Sequence, residues 1–124
     1  MSDNVRITSH RDLIVWQKAM DLVVSVYAAT ENFPKTEVYG LTSQIRRCAA
    51  SIPANIAEGQ GRRLFGEFLQ FLGNARGSLL ELDTHLEIAR RLCMLSEEVH
   101  SALMGQLIEV RKLLNGLMRS IKAA

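Results

Sequence analysis

The chain has few residues of the kinds that interrupt helices or enrich strands. Its 124 residues include two prolines, and aromatic residues make up 6%, whereas 48% are hydrophobic. A strand-and-turn architecture usually carries more aromatic, β-branched and turn-forming residues than this. The composition therefore favours an all-helical domain, and the length suits a single core.

Cysteine and long apolar runs are scarce as well. Cys48 and Cys93 match neither a disulfide framework nor a metal-binding motif, so we expect both to be reduced and buried. Residues 1–11 are largely polar and lack the apolar core of a secretory signal, and the sequence contains no uninterrupted apolar run of about 18 residues. We therefore expect a cytoplasmic protein with no membrane segment.

Apolar residues recur at steps of three and four in four segments. The pattern predicts helices over residues 12–32, 37–60 and 65–93 and a fourth after a Ser96 cap, with Thr36 capping the second and Pro53 kinking it. Gly59 and Gly61 are interpreted as stop signals at the end of the second helix. The expected fold is an antiparallel, up-down-up-down, left-handed four-helix bundle over residues 12–122, after a flexible extension over residues 1–11.

The same periodicity predicts which side of each helix faces the core. The predicted core faces are Leu13, Trp16, Met20, Val23, Val24 and Tyr27 in the first helix; Leu41, Ile45, Cys48, Ile52 and Ile56 in the second; Phe65, Phe68, Leu72, Ala75, Leu79, Leu82, Leu86, Ala89 and Cys93 in the third; and Leu103, Leu107, Val110, Leu114, Leu117 and Ile121 in the fourth.

Small residues lie on the other sides of the second and third helices. Gly66, Gly73 and Gly77 share a stripe of the third helix, and alanines line the second helix opposite its apolar face. Because a glycine inside a helix costs about 1 kcal/mol relative to alanine, three on one stripe indicate close packing by another chain. The alternative is that the helices merely tolerate them.

Two polar patterns offer candidate interaction sites. A ladder on the second helix could form a hydrogen-bonded network at a subunit boundary, or it could simply be solvated. Arginines near both ends of that helix could contact nucleic acid, or they could be ordinary solubilising charge, since the net charge is only +2. The ladder is Gln44, Arg47, Ser51, Asn55, Glu58 and Arg62, and the arginines are Arg46, Arg47, Arg62 and Arg63.

No pattern indicates catalysis. A di-iron bundle needs two Glu-x-x-His motifs, and residues 97–100 provide one. Glu81 and His85 are four residues apart, but they lie away from the apolar face of the third helix, so we interpret them as a surface pair. Neither a strained nucleophile, nor a phosphate-binding loop, nor the Arg–His spacing of helical ribonucleases is present. We therefore predict no catalytic, metal or cofactor site and no small-molecule substrate.

Several segments together resemble a known family. They are Asp12-Leu13, Val15-Trp16-Gln17-Lys18-Ala19, Phe33-Pro34, the run 39–44, the run 51–59 (SIPANIAEG) and the run 77–82. The chain resembles the four-helix-bundle proteins often encoded in intervening sequences of bacterial large-subunit ribosomal RNA genes. This resemblance implies a homopentamer around a central channel and no established catalytic activity. A related branch, the accessory variability protein of diversity-generating retroelements, is strongly basic and is thought to bind nucleic acid.

The expected function is accordingly that of a non-enzymatic, homo-oligomeric scaffold or adaptor. Its partners would be copies of itself and RNA or a nucleoprotein. The alternative is a module that binds only proteins and has no affinity for nucleic acid.

Overall fold

Four long helices make up the structure, a computed structural model that describes residues 9–124. They are α1 (Ile14–Thr30), α2 (Leu41–Gln60), α3 (Phe65–Arg91) and α4 (Glu97–Ala123), and no strand occurs in the described part of the chain. The predicted all-α, four-helix fold is confirmed. None of the described helices is long and apolar enough to cross a membrane.

The helices form a closed square of neighbours. α1 packs against α2 and α4, and α3 packs against the same two helices, while the diagonal pairs make no such contact within residues 9–124. Residues 61–64 and 92–96 are short links, so consecutive helices run antiparallel. α2 continues without interruption through the buried Pro53.

Two helix ends differ from the predictions. The chain forms a short 3-10 turn over Lys35–Glu37, and α2 begins only at Leu41. Thr36 is therefore not the cap of α2; a carboxylate oxygen of Glu37 accepts a hydrogen bond from the Leu41 backbone N–H at 3.1 Å. At the other end of the next helix, α3 stops at Arg91.

Cys93 is the second cysteine and is exposed, which corrects the prediction that it is buried. Its φ of 61° lies in the left-handed region, where the chain turns out of α3 toward α4. The three-four spacing of the α3 apolar face extends to Cys93 in the sequence, but the helix ends before it. The last member of that predicted face consequently points to solvent.

The core contains most of the predicted apolar faces of α2, α3 and α4. The face predicted for α1 is wrong, since Val24 is 67% exposed while Ala19, Leu22 and Val26 are fully buried. α1 is apolar on more than one side, so periodicity alone selected the wrong stripe. Its buried residues are Val15, Ala19, Leu22, Val26 and Thr30.

The N-terminal end of the described chain forms a single 3-10 turn over His10–Asp12, capped by the Ser9 side chain. This turn contacts α1 and α2. The rest of the predicted N-terminal extension, residues 1–8, lies outside the described residues.

α2 and α3 lie in close contact at Gly59. A Cβ atom there would lie 2.8 Å from Cβ of Phe71 and 3.0 Å from Cδ1 of Phe68. Gly59 is buried inside α2, so its role is close packing and not the helix termination expected from the sequence; Gly61 occupies that position. The absence of a side chain at Gly59 lets the two helices touch.

Candidate functional site

A groove of about 580 Å³ lies between α2 and α3, away from the contact at Gly59. Polar side chains from both helices line it, and Cys48 lies at its buried side. The lining residues are Gln44, Arg47, Cys48, Ser51, Ser78, Glu81 and His85. The first four come from α2 and the other three from α3.

A serine pair links the two helices in this groove. The Ser51 and Ser78 hydroxyl oxygens are 2.7 Å apart. The Ser51 hydroxyl also donates to the Cys48 carbonyl at 2.7 Å, so the proton between the two serines comes from Ser78. Asn55 donates its side-chain N–H to the Ser51 carbonyl at 2.8 Å. The Ser51–Ser78 bond joins α2 to α3, and the other two bonds, both within α2, hold Ser51 in place.

Three groups able to bind metal converge beside the serine pair. Their ligand atoms, from Cys48, Glu81 and His85, all lie within 4.8 Å of one another. Burial, together with the nearby Glu81 carboxylate, raises the pKa of the Cys48 thiol to about 11. The thiol donates weakly to the Ser78 carbonyl, at 3.5 Å. Nδ1 of His85 is buried and has no hydrogen-bond partner within the described chain.

The predicted polar ladder is divided between two places. Gln44, Arg47 and Ser51 line the groove, whereas Glu58 and Arg62 form an ion pair of 3.2 Å near the end of α2. The structure thus brings the first three together with α3 and separates them from the last pair.

The four candidate arginines have different surroundings. Arg46 donates to the Thr30 hydroxyl at 2.9 Å and to the Tyr27 carbonyl at 3.3 Å, with its guanidinium 4.6 Å from the Tyr27 ring centre. Arg62 pairs with Glu58, as above. Arg47 and Arg63 are exposed. α2 extends 14 residues beyond Arg46 to its end at Gln60, a rise of about 21 Å, and Arg62 and Arg63 follow that end, so the arginines do not form one patch.

The outward side of α3 holds the predicted glycine stripe. A Cβ atom at Gly66, Gly73 or Gly77 would meet no described residue within 4 Å, so packing within residues 9–124 does not require these glycines. At 100° per residue this stripe lies about 180° from the buried side of α3. The α3 outer face consists of Gly73, Gly77, Leu80, Thr84 and Ile88.

A second exposed apolar surface lies on α1. We define the α1 outer face as Met20, Val24 and Tyr27, which recur at helical spacing and are at least 37% exposed. α1 and α3 are diagonal in the bundle, so the two outer faces point away from it on different sides.

Comparison with known proteins decides the family. The profile described as 23S rRNA-intervening sequence protein matches residues 11–116. The chain belongs to this family. No curated protein matches the chain's sequence.

The fold of this family member is also found in a solved structure. A crystal structure of a protein with unknown function from the S23 ribosomal protein family of Bacteroides thetaiotaomicron VPI-5482 is similar, with a TM-score of 0.76 and 24% identity. The match covers 85% of this chain and 98% of that one. At this identity the likeness supports the fold alone.

Sequence reasoning missed the grouping of Cys48 with Glu81 and His85. The four-residue spacing of Glu81 and His85 was visible in the sequence, but Cys48 comes from another helix. Only the pairing of α2 with α3 brings the thiol to them.

Proposed function

We propose that the protein is a non-enzymatic adaptor that assembles with copies of itself into a closed ring. The supporting observation is the pair of exposed apolar surfaces, the α1 and α3 outer faces, on different sides of one bundle. Contiguous apolar patches on soluble domains usually mark interaction sites. Contact between two different faces of identical chains gives a head-to-tail arrangement, which closes into a ring when the rotation allows.

The number of copies we propose is five, as the family resemblance implies. The glycines of the α3 outer face suit this assembly, because without side chains they let a neighbouring helix approach closely. The open space around Gly73 and Gly77 in the single chain would then be occupied by the α1 outer face of the next copy.

Native mass spectrometry tests the assembly. The wild-type chain should give a species of five times 13.9 kDa. Val24→Asp on α1 and Leu80→Asp on α3 each place a charge in one face and should each give monomers. Leu92→Asp is the matched control, since Leu92 is 59% exposed, like Leu80 at 58%, but lies after α3 ends. A monomeric wild type would refute the proposal.

Mixing the two variants distinguishes head-to-tail contacts from like-with-like contacts. Val24→Asp protein keeps an intact α3 outer face, and Leu80→Asp protein keeps an intact α1 outer face. An equal mixture should therefore form heterodimers and stop there, because both remaining faces are charged. If each variant alone formed homodimers, the faces would instead pair like with like, and a head-to-tail ring would be ruled out.

RNA is the partner we propose for the ring, with Arg47, Arg62 and Arg63 as the contacts. The supporting observation is the exposure of Arg47 and Arg63, which a ring would repeat in every copy. Arg46 is less suited to contact RNA, because it would first have to give up its bonds to Thr30 and Tyr27.

Fluorescence anisotropy with a structured RNA at several salt concentrations tests this partner. Arg47→Glu with Arg63→Glu should weaken binding and reduce the salt slope by about 1 for each arginine that contacts a phosphate. The control is Arg111→Glu with Lys112→Glu, the same charge change on α4. If the wild type bound no RNA, the alternative of a protein-only module would be favoured. The bonds of Arg46 to Thr30 and Tyr27 also favour that alternative, because they occupy one of the candidate arginines.

A further inference from the structure

The groove between α2 and α3 contains a set of side chains that the adaptor role does not use. One thiol, one carboxylate and one imidazole approach within 4.8 Å of one another. They come from two helices, and the Ser51–Ser78 hydrogen bond beside them holds those helices in register. The backbone positions of these three residues are therefore fixed relative to one another.

The spacing suits a metal ion. Glu81 and His85 are separated by one helical turn and share a side of α3, the same i, i+4 spacing that places two histidines on zinc in helical metalloprotease motifs. Ligand atoms of a tetrahedral zinc site lie about 3.3–3.6 Å apart, given zinc–ligand distances of about 2.0–2.3 Å. Side-chain rotations of Glu81 and Cys48 can close the remaining difference from 4.8 Å.

Two of the three groups have an unmet or weak interaction in the groove. Nδ1 of His85 is buried and has no hydrogen-bond partner among residues 9–124. The Cys48 thiol makes a long, weak bond of 3.5 Å to the Ser78 carbonyl. Buried polar atoms in native proteins are nearly always paired, so an orphaned imidazole nitrogen beside a thiol and a carboxylate points to a ligand.

We propose that Cys48, Glu81 and His85 bind a divalent transition-metal ion of the zinc type, bridging α2 and α3. The donor set of one sulfur, one nitrogen and one oxygen fits zinc, whose protein ligands are Cys, His, Asp and Glu. On binding, the thiol proton leaves to solvent and the thiolate sulfur bonds the metal. A water molecule from the groove completes four-coordination. This site does not depend on ring assembly.

Cobalt is the probe for the experiment, because a Co²⁺–thiolate bond gives a charge-transfer absorption that zinc sites lack. Untagged, reduced full-length protein titrated with Co²⁺ should develop this band and saturate at a single ion per chain. Zn²⁺ should then abolish the band, since zinc binds such sites more tightly than cobalt.

Substitutions assign the ligands. Cys48→Ser should remove the charge-transfer band. Glu81→Gln and His85→Gln should weaken the affinity for Co²⁺ at least about 10- to 100-fold, the loss usual when a residue that only hydrogen-bonds to a metal ligand is replaced. Cys93→Ser is the matched control and should retain the full band, because Cys93 is exposed after α3 and lies outside the groove. Circular dichroism should show unchanged helix content, and Glu81, being exposed, can be replaced without disturbing the core.

Two results would overturn the proposal. One is the absence of the thiolate band in wild-type protein at saturating Co²⁺. The other is a band that survives Cys48→Ser but disappears with Cys93→Ser, which would place the metal at the exposed cysteine. Neither result bears on ring assembly, which native mass spectrometry measures separately.

Discussion

Gly59→Ala is the sharpest test of how α2 packs against α3. The added Cβ would lie 2.8 Å from Cβ of Phe71, 3.0 Å from Cδ1 of Phe68 and 3.3 Å from the Phe68 carbonyl oxygen. Rotation of the Phe71 side chain cannot move its own Cβ, so α3 itself has to shift. Overpacking of this kind typically costs about 1–3 kcal/mol.

A compensating gain must be subtracted from that cost. Alanine is favoured over glycine inside a helix by about 1 kcal/mol, and less near a helix end such as this one. No described glycine has a positive φ, so alanine meets no backbone strain at Gly59. We expect the free energy of unfolding to fall by about 0–2 kcal/mol, a decrease in Tm of up to about 10 °C for a chain of this length.

Gly105→Ala is the matched control for this prediction. Gly105 lies inside α4, and a Cβ there would meet nothing within 4 Å in the part of the chain that the structure describes. This variant receives the helix-propensity gain without the clash, so it should be more stable than wild type by up to about 1 kcal/mol. Urea unfolding followed by circular dichroism measures both variants. Equal stabilities for Gly59→Ala and Gly105→Ala would refute the close approach at Gly59.

Two further predictions concern pH and thiol reactivity. Hydrogen bonds from Arg90, and to a smaller extent from Arg91, lower the pKa of Glu87 from 4.5 to about 2. The stability that this carboxylate contributes is therefore present above pH 4.5 and is lost as the pH falls toward 2. Carboxyl NMR should give that low midpoint, and Arg90→Ala with Arg91→Ala should raise it toward 4.5; an unchanged midpoint would contradict the assignment. Alkylation of native protein at pH 8 should modify Cys93 rapidly and Cys48 slowly, because Cys48 is buried and its pKa is about 11. Equal rates for the two thiols would contradict the burial.

Helix periodicity predicted the fold because each long helix needs one apolar side in the core. It succeeded for α4, where charged residues mark the opposite side, and for α3 between Phe68 and Ala89. At the two ends of the predicted α3 face, Phe65 and Cys93 are exposed. It failed for α1, which is apolar on two sides: the predicted stripe contains Val24, which is exposed, while Leu22 is fully buried. A single helix considered alone contains no information about which apolar side meets its neighbours.

The composition and periodicity of the sequence by themselves determined an all-α bundle of four helices, because helix formation and the spacing of apolar residues are local properties of the chain. Tertiary structure alone decided what depends on two helices meeting. It identified Gly59 as a packing position and not a helix stop, and it left Gly73 in open space. It also brought Cys48 of α2 within 4.8 Å of Glu81 and His85 of α3. These distances follow from the register between α2 and α3, which spacing along one helix cannot specify.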